Sequence, residues 1–196
     1  MDLEIELDRL LKIKTNGRDD TNSDLTNYPY EPTPYAILEM LANSGYIKKT
    51  DVIIDYGCGK GRVDFYLAYM LKCRMIGIEY DLRLFNKAQV NHNTAISKNR
   101  VDFIHINAND YEINDDVTGL YFFNPFSIAV LKNVLNNLRD SIKRNKRSVM
   151  LYCYYPSSEY LDLLDNAPDI LHIEDIDCTS LYKKLDKREI IAVYKI

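Results

Sequence analysis

The sequence lacks the features that would place the chain in a membrane, a disulfide-linked scaffold or a zinc module. No apolar run reaches the roughly 18 residues of a membrane span, so we predict neither a span nor a signal peptide, and expect a cytoplasmic protein. No C-x-x-C pair occurs, and each of the four cysteines lies in or beside an apolar run. We therefore predict buried, reduced thiols. These are Cys58, Cys73, Cys153 and Cys178.

Charge and histidine content limit the function further. The net charge of −4 does not indicate duplex nucleic-acid binding through overall basicity, although it leaves a local basic patch open. His92, His105 and His172 are scattered, so we predict no metal site and interpret His105, within a strand pattern, as structural. No strong general base is evident either.

The 196 residues suit one α/β domain, residues 28–196, with an N-terminal extension, residues 1–27. Leucines at helical spacing predict that the extension begins with a short helix, whose apolar face carries Leu3, Leu7, Leu10 and Leu11. Polar residues from Thr15 to Thr26 then predict a mobile linker.

The most informative stretch runs from Val52 to Arg62 and reads Val-Ile-Ile-Asp-Tyr-Gly-Cys-Gly-Lys-Gly-Arg. Its first residues predict the end of a buried parallel strand, which the glycines then turn sharply. Three alternate glycines allow positive φ and let a ligand approach the backbone closely. Apolar residues at helical spacing follow Arg62. A strand, a glycine turn and a helix N-terminus together predict a nucleotide site.

The glycine spacing, Asp55-x-Gly57-x-Gly59-x-Gly61, resembles the first motif of class I S-adenosylmethionine-dependent methyltransferases. The dinucleotide fingerprint G-x-G-x-x-G would need a glycine at Arg62 instead. The resemblance runs from about Tyr28 to the C-terminus and implies a small, single-domain, bacterial-type enzyme whose cofactor is S-adenosylmethionine. It implies that the turn holds the methionine end of that cofactor, through Asp55, Gly57, Cys58, Gly59 and Gly61.

Strand and helix patterns alternate five times along the domain and end in a hairpin. We predict an α/β fold, a Rossmann-like doubly wound sheet of seven mostly parallel strands with an antiparallel C-terminal hairpin. The resemblance implies the strand order 3-2-1-4-5-7-6.

Polar residues follow the next two predicted strands. Glu79 lies 18 residues beyond Gly61, where α/β nucleotide folds carry the acid that accepts hydrogen bonds from the ribose; the alternative is a solvated strand-end acid. The resemblance implies that Tyr80 packs on the adenine and that Asn107-Ala108 contacts it, with Asn in place of the usual Asp. Asp110 is an alternative adenine contact.

A proline-rich segment, Tyr28 to Tyr35, precedes the first motif and predicts extended backbone. It is either a rigid connector or, as the resemblance implies, a strap across the cofactor pocket that contributes Tyr30 and Thr33. Thr33 also fits the N-cap of the following helix, with Pro34 as its first residue.

An apolar strand pattern ends in Asn124-Pro125-Phe126, and Ser127 then fits a helix cap. This resembles the Asn/Asp-Pro-Pro-aromatic motif of methyltransferases that act on planar amino groups, with Phe at the second proline position. We predict Asn124, Pro125 and Phe126 as catalytic residues. The Asn124 oxygen and a backbone carbonyl would accept the acceptor's N–H groups, and Phe126 would stack on a flat substrate. The alternative is a helix start with a buried Phe.

Three interpretations stay open. A basic run ending the helix after Ser127 is either a solvated face or a nucleic-acid contact: Arg139, Lys143, Arg144, Lys146 and Arg147. Tyr154 and Tyr155 are either substrate wall or packing. The resemblance favours methyl transfer to an amino nitrogen of a protein, nucleic acid or small molecule, against a non-catalytic cofactor-binding protein or a nicotinamide-dependent oxidoreductase. The acceptor and the oligomeric state are not predicted.

Overall fold

The computed structural model describes residues 3–19, 21, 30–183 and 186–196. Its α-helices are α1 Leu3–Leu11, α2 Tyr35–Asn43, α3 Arg62–Leu71, α4 Leu82–Thr94, α5 Ile128–Arg144 and α6 Ser158–Asp165. Its strands are β1 Val52–Tyr56, β2 Arg74–Glu79, β3 Val101–His105, β4 Gly119–Phe122, β5 Met150–Tyr154, β6 Leu171–Asp177 and β7 Ile190–Lys195. The predicted boundary between residues 27 and 28 lies outside the described residues.

The strands form one sheet in the order β3-β2-β1-β4-β5-β7-β6. The first five pair in parallel, and β7 pairs antiparallel with both β5 and β6. The predicted fold, including the C-terminal antiparallel pair, is confirmed. The strand order reverses beside β1, so the ends of β1 and β4 open a crevice there, which is where open α/β sheets bind ligands.

Two apolar layers sandwich the sheet. Ile53 of β1 packs with the buried faces of α1, α2 and α3, whereas the next residue, Ile54, packs with α5 and α6. This alternation follows from the two-residue period of a strand, and helices on both faces explain why the consecutive residues Ile53 and Ile54 are both apolar. All four cysteines are buried and unpaired, as predicted.

The N-terminal extension differs from its prediction in two ways. Leu3 and Leu10, predicted on the apolar face of α1, are about half exposed, whereas Asp8 is buried. Asp8 can be buried because its carboxylate accepts hydrogen bonds from the Thr15 N–H, the Thr15 hydroxyl and the Tyr35 hydroxyl, each at 2.6 Å. The predicted mobile linker is therefore wrong at its first residue, since Thr15 is fully buried. Residues 20 and 22–26 of that linker lie outside the described residues.

The helix N-caps agree only in part with what the sequence predicts. Asp81 caps α4, since its carboxylate accepts from the Arg83 N–H at 2.8 Å. Thr33 does not cap α2: Pro34 holds the N-cap position, and the Thr33 hydroxyl lies 3.0 Å from the Tyr121 hydroxyl instead. Ser127 occupies the N-cap of α5 without a side-chain capping bond.

The basic run on α5 is largely engaged by neighbouring groups. Arg139 pairs with Asp169, Arg144 pairs with Asp115, and Arg147 donates to the Val117 carbonyl. α5 begins beside the ligand end of the sheet and runs 17 residues, about 25 Å, so its last turn lies at the opposite edge. This placement favours the solvated-face interpretation. No helix among the described residues is both long and apolar enough to cross a membrane.

Candidate active site

A cavity of about 240 Å³ opens at the carboxyl ends of β1, β2 and β4. It brings together eleven of the predicted site residues: Tyr30, Thr33, Asp55, Gly57, Cys58, Glu79, Tyr80, Ala108, Asn124, Pro125 and Phe126. Gly59 and Gly61 shape the turn without lining the cavity, and Asn107 does not line it either. No group of three or more His, Cys, Asp or Glu side chains among the described residues is placed to hold a metal ion.

The glycine turn has the backbone that its sequence requires. Gly57, Gly59 and Gly61 have φ values of 75°, 56° and 85°, in the left-handed region that favours glycine. The N–H groups of Gly57 and Cys58 both donate to the Ile78 carbonyl, at 2.9 and 3.1 Å, which ties the turn to β2. The turn is therefore held rigidly against the strand that carries Glu79.

Tyr30 packs directly on the second glycine of the turn. A Cβ built on Gly59 would lie 2.1 Å from Cδ2 of the Tyr30 ring, so no larger residue fits there. The Tyr30 hydroxyl donates to the Thr15 carbonyl at 2.7 Å, and the Lys60 ammonium lies 4.6 Å from its ring centroid. The described part of the proline-rich segment thus crosses the turn and lines the cavity. Tyr28 and Pro29 lie outside the described residues.

Glu79 is 4% exposed and is oriented by two backbone donors. Its Oε2 accepts from the Gly59 N–H at 2.9 Å, and its Oε1 accepts from the Asp81 N–H at 2.8 Å. Burial raises the pKa of Glu79, and these N–H groups oppose the rise. A carboxylate has about four acceptor positions, so Glu79 can still accept from a ligand's hydroxyls.

Only some of the predicted adenine contacts line the cavity. Ala108 and Ile106 line the cavity, whereas the Asn107 side-chain oxygen accepts from the Asn109 N–H at 2.9 Å and caps a short 3-10 helix. Asp110, the alternative contact, is exposed and does not line the cavity. His105 lies away from the cavity, where its Nε2 donates to the Tyr80 carbonyl at 2.9 Å.

Asn124 has a strained backbone and an unsatisfied side chain. Its φ is 42°, and its Oδ1 is buried with no hydrogen-bond partner among the described residues. Such a buried acceptor is costly unless a ligand supplies a donor. Strain and an unpaired polar atom at a cavity wall are typical of a functional residue.

Phe126 packs in the core. It is 3% exposed and lies edge-on to Tyr56 and Phe122, with ring centroids 6.0 and 6.1 Å away. The Tyr160 hydroxyl also donates to its carbonyl at 2.8 Å. The predicted stacking of Phe126 on a flat substrate therefore does not fit this structure, because its side chain is almost fully buried in the core.

Two other aromatic residues, Phe123 and Tyr155, line the cavity beside Asn124. Tyr155 has a φ of 49°, and its hydroxyl donates to Asp186 at 2.7 Å while the Arg188 guanidinium lies 4.2 Å from its ring centroid. Tyr154 is buried packing, with a hydroxyl that donates to Glu189 at 2.8 Å. Sequence reasoning missed Phe123, whose apolar strand context carried no signal of a site.

Arg62 also lines the cavity, although it is only 2% exposed. Its guanidinium donates to the Thr15 hydroxyl at 2.7 Å and to the Thr33 carbonyl at 3.3 Å, and it pairs with Glu4 and Asp8. It therefore ties the N-terminal extension and the proline-rich segment to the start of α3. The only sequence signal for this role was an arginine at the first position of a buried helix.

Asp64 is a second residue that the sequence did not single out. It is fully buried on α3, and its carboxyl contacts that of Asp55, which is 3% exposed at the cavity wall. Burial, followed by this contact, raises the pKa of Asp64; burial raises the pKa of Asp55 to about 7.

Comparison with known proteins identifies the family of this chain. A family model described as a methyltransferase domain matches residues 47–184. A histone-lysine N-methyltransferase specific for H3 lysine 79, from Dictyostelium discoideum, is 44% identical over 59 residues, which are 30% of this chain and 3% of that protein. This chain thus spans a small fraction of that relative's length.

Solved structures share the fold. A crystal structure of an RNA methyltransferase from Salinibacter ruber in complex with S-adenosyl-L-homocysteine has a TM-score of 0.53 and 23% identity, over 84% of this chain and 92% of that one. A putative RNA methyltransferase from Pyrococcus horikoshii has a TM-score of 0.61 and 15% identity, over 100% of this chain and 96% of that one.

Fold and cavity together define a Rossmann-like methyltransferase. The chain belongs to the methyltransferase domain family, because the family model covers well over half of its length. The predictions of an S-adenosylmethionine-dependent methyltransferase and of its cofactor are confirmed. The residues present fit that cofactor: Glu79 offers a preoriented acceptor to the ribose, Ile106 and Ala108 offer apolar surface, and Gly57 and Cys58 of the turn line the same cavity.

Proposed function

We propose that this enzyme transfers a methyl group to an amino nitrogen. The observation that carries the proposal is the Asn124 Oδ1, a buried acceptor without a partner among the described residues, on the wall of the cavity. An amino group is the acceptor whose N–H hydrogens such an oxygen would receive.

S-adenosylmethionine supplies a methyl group on a positively charged sulfur, which a nucleophile can attack directly. The chain's part is to bind and align. Glu79 accepts from the ribose hydroxyls, and Tyr30 and Thr33 close the cavity on the side of the glycine turn. Gly57 lies against Pro125, so the cofactor turn and the acceptor motif are packed together.

Asn124 orients the acceptor. Its Oδ1 and a neighbouring backbone carbonyl accept the two N–H hydrogens and direct the nitrogen lone pair toward the methyl group. Asn124 lines the cavity, and its φ of 42° would set the direction of its side chain. An amine acceptor needs no strong base, because its proton can leave to water after transfer.

Phe123 and Tyr155 supply the aromatic surface that we first assigned to Phe126. Both line the same cavity as Asn124 and are partly exposed. A flat acceptor would stack on them, whereas a flexible amine would use them as an apolar wall. Relatives act on different acceptors: one is a histone-lysine methyltransferase and another is an RNA methyltransferase. We propose an acceptor amino group on a protein or nucleic acid.

The test is transfer of labelled methyl from S-adenosylmethionine to fractionated cell extract. Asn124→Ala should lower transfer by about 10² or more while cofactor affinity changes less than about twofold, because alignment is lost and binding is kept. Asn133→Ala, an exposed asparagine on α5, is the matched control and should behave as wild type. Cofactor binding without transfer to any fraction would contradict an enzyme and favour a binding protein.

A further inference from the structure

Two carboxyl groups, those of Asp55 and Asp64, lie together beneath the glycine turn. Asp64 is fully buried, and no N–H or O–H donor of the described residues reaches either of its oxygens. The side chain that interacts with it is the Asp55 carboxyl, which lines the cavity. Two carboxyl groups bond to each other only when one of them holds a proton.

No basic side chain in the described part of the chain interacts with this pair. The described titratable groups that do interact with it are an acid, two thiols and two phenols: Glu79, Cys58, Cys73, Tyr30 and Tyr121. Arg62, two residues before Asp64, is engaged instead by Glu4, Asp8 and Thr15. Keeping a shared proton avoids two adjacent buried charges, and the elevated pKa values of both acids agree with this.

We propose that Asp64 is a positioning residue that acts through Asp55. The two side chains share one proton, and binding of the cationic cofactor releases that proton. This rests on the proposed function and on the family resemblance, which implies that the methionine end of S-adenosylmethionine, with its ammonium and sulfonium groups, lies against Asp55. A nearby positive charge favours the ionised carboxylate. The shared O–H bond then breaks, the proton leaves to solvent, and the added negative charge stays opposite the cation.

Titration calorimetry of the full chain at pH 6 and pH 7, in buffers with different heats of ionisation, measures the released proton. Release of one proton makes affinity rise with pH, so affinity for S-adenosylmethionine should increase about tenfold from pH 6 to pH 7. S-adenosylhomocysteine lacks the sulfonium charge and should show a smaller increase and less proton release.

Asp64→Asn preserves size but can no longer share a proton, and its amide can donate to Asp55. Proton release should vanish, and the affinity change between pH 6 and pH 7 should fall to about twofold or less. Asp102→Asn removes an exposed acid on β3 and should keep the wild-type slope. Equal slopes in wild type and Asp64→Asn would overturn the inference.

An infrared measurement keeps the inference testable if Asp64→Asn does not fold. In wild type, S-adenosylmethionine should remove a C=O band of a protonated carboxyl group; an unchanged band would overturn the inference. Failure of wild type to bind S-adenosylmethionine or S-adenosylhomocysteine at any pH would instead contradict the proposed function.

Discussion

Gly57 packs so closely on Pro125 that a Cβ on the glycine would lie 2.7 Å from the Cβ of the proline. The two residues are 68 positions apart in the chain, one in the glycine turn and the other in the motif that we propose orients the acceptor. Their contact holds the two halves of the site at one separation, and a methyl transfer depends on that separation.

Gly57→Ala should therefore damage transfer. It crowds Pro125 and forces alanine into a φ of 75°, so we expect a loss of stability above about 1 kcal/mol and a tenfold or larger fall in transfer. Gly45→Ala is the matched control: its φ is 81° but nothing lies within 4 Å of the added Cβ, so strain without crowding should leave transfer unchanged. Thermal unfolding measures the stability of each variant, and the labelled-methyl assay measures its transfer. Equal transfer by the two variants would contradict the role of the contact.

Glu79→Ala removes the acceptor predicted for both ribose hydroxyls. The loss of hydrogen bonds to a charged group, worth about 1.5 to 3 kcal/mol, should weaken binding of S-adenosylmethionine by roughly ten- to 150-fold in calorimetry. The control is Glu112→Ala, since the Glu112 side chain is 82% exposed and lies on the surface beside Arg144. Unchanged affinity in Glu79→Ala would remove the ribose assignment.

Phe126 and Phe123 should separate stability from acceptor binding. Phe126→Ala empties a core position and should cost about 3 to 5 kcal/mol in chemical denaturation. Phe123→Ala should cost less stability, because Phe123 is partly exposed, and should mainly raise the apparent Km for the acceptor. If Phe126→Ala is as stable as wild type and only acceptor binding suffers, our assignment of Phe126 to the core is wrong.

Arg62→Met should loosen the N-terminal extension. It leaves Asp8, which is 5% exposed, without its nearby positive charge, and breaking such a buried arrangement costs about 3 kcal/mol or more. Hydrogen exchange should become faster across residues 3–19. The control is Arg139→Met, which removes the ion pair with Asp169, whose two side chains are 30% and 42% exposed. Its loss should lower the free energy of unfolding by less than about 1 kcal/mol. Unaltered exchange in Arg62→Met would show that the extension is anchored by other contacts.

Local sequence determined the secondary structure around the site. The β-branched run of β1, the alternating glycines and the helical spacing after Arg62 each act within a few residues, so they predict the strand, the turn and the helix directly. The position of Glu79 after β2 follows from the length of one strand-turn-helix unit. Family resemblance added the strand order and the cofactor, which the fold and the family match then confirmed.

Tertiary structure decided which side chains face one another. Asp8, Arg62 and Asp64 look like surface charges in sequence, but the packing of α1 on α3 and of α3 on the sheet buries all three and pairs the first two. Phe126 and Phe123 are equally apolar, but the folded chain buries Phe126 in the core and leaves Phe123 partly exposed at the cavity. Contacts between residues far apart in the chain carry no local pattern, because burial and pairing depend on how the elements pack.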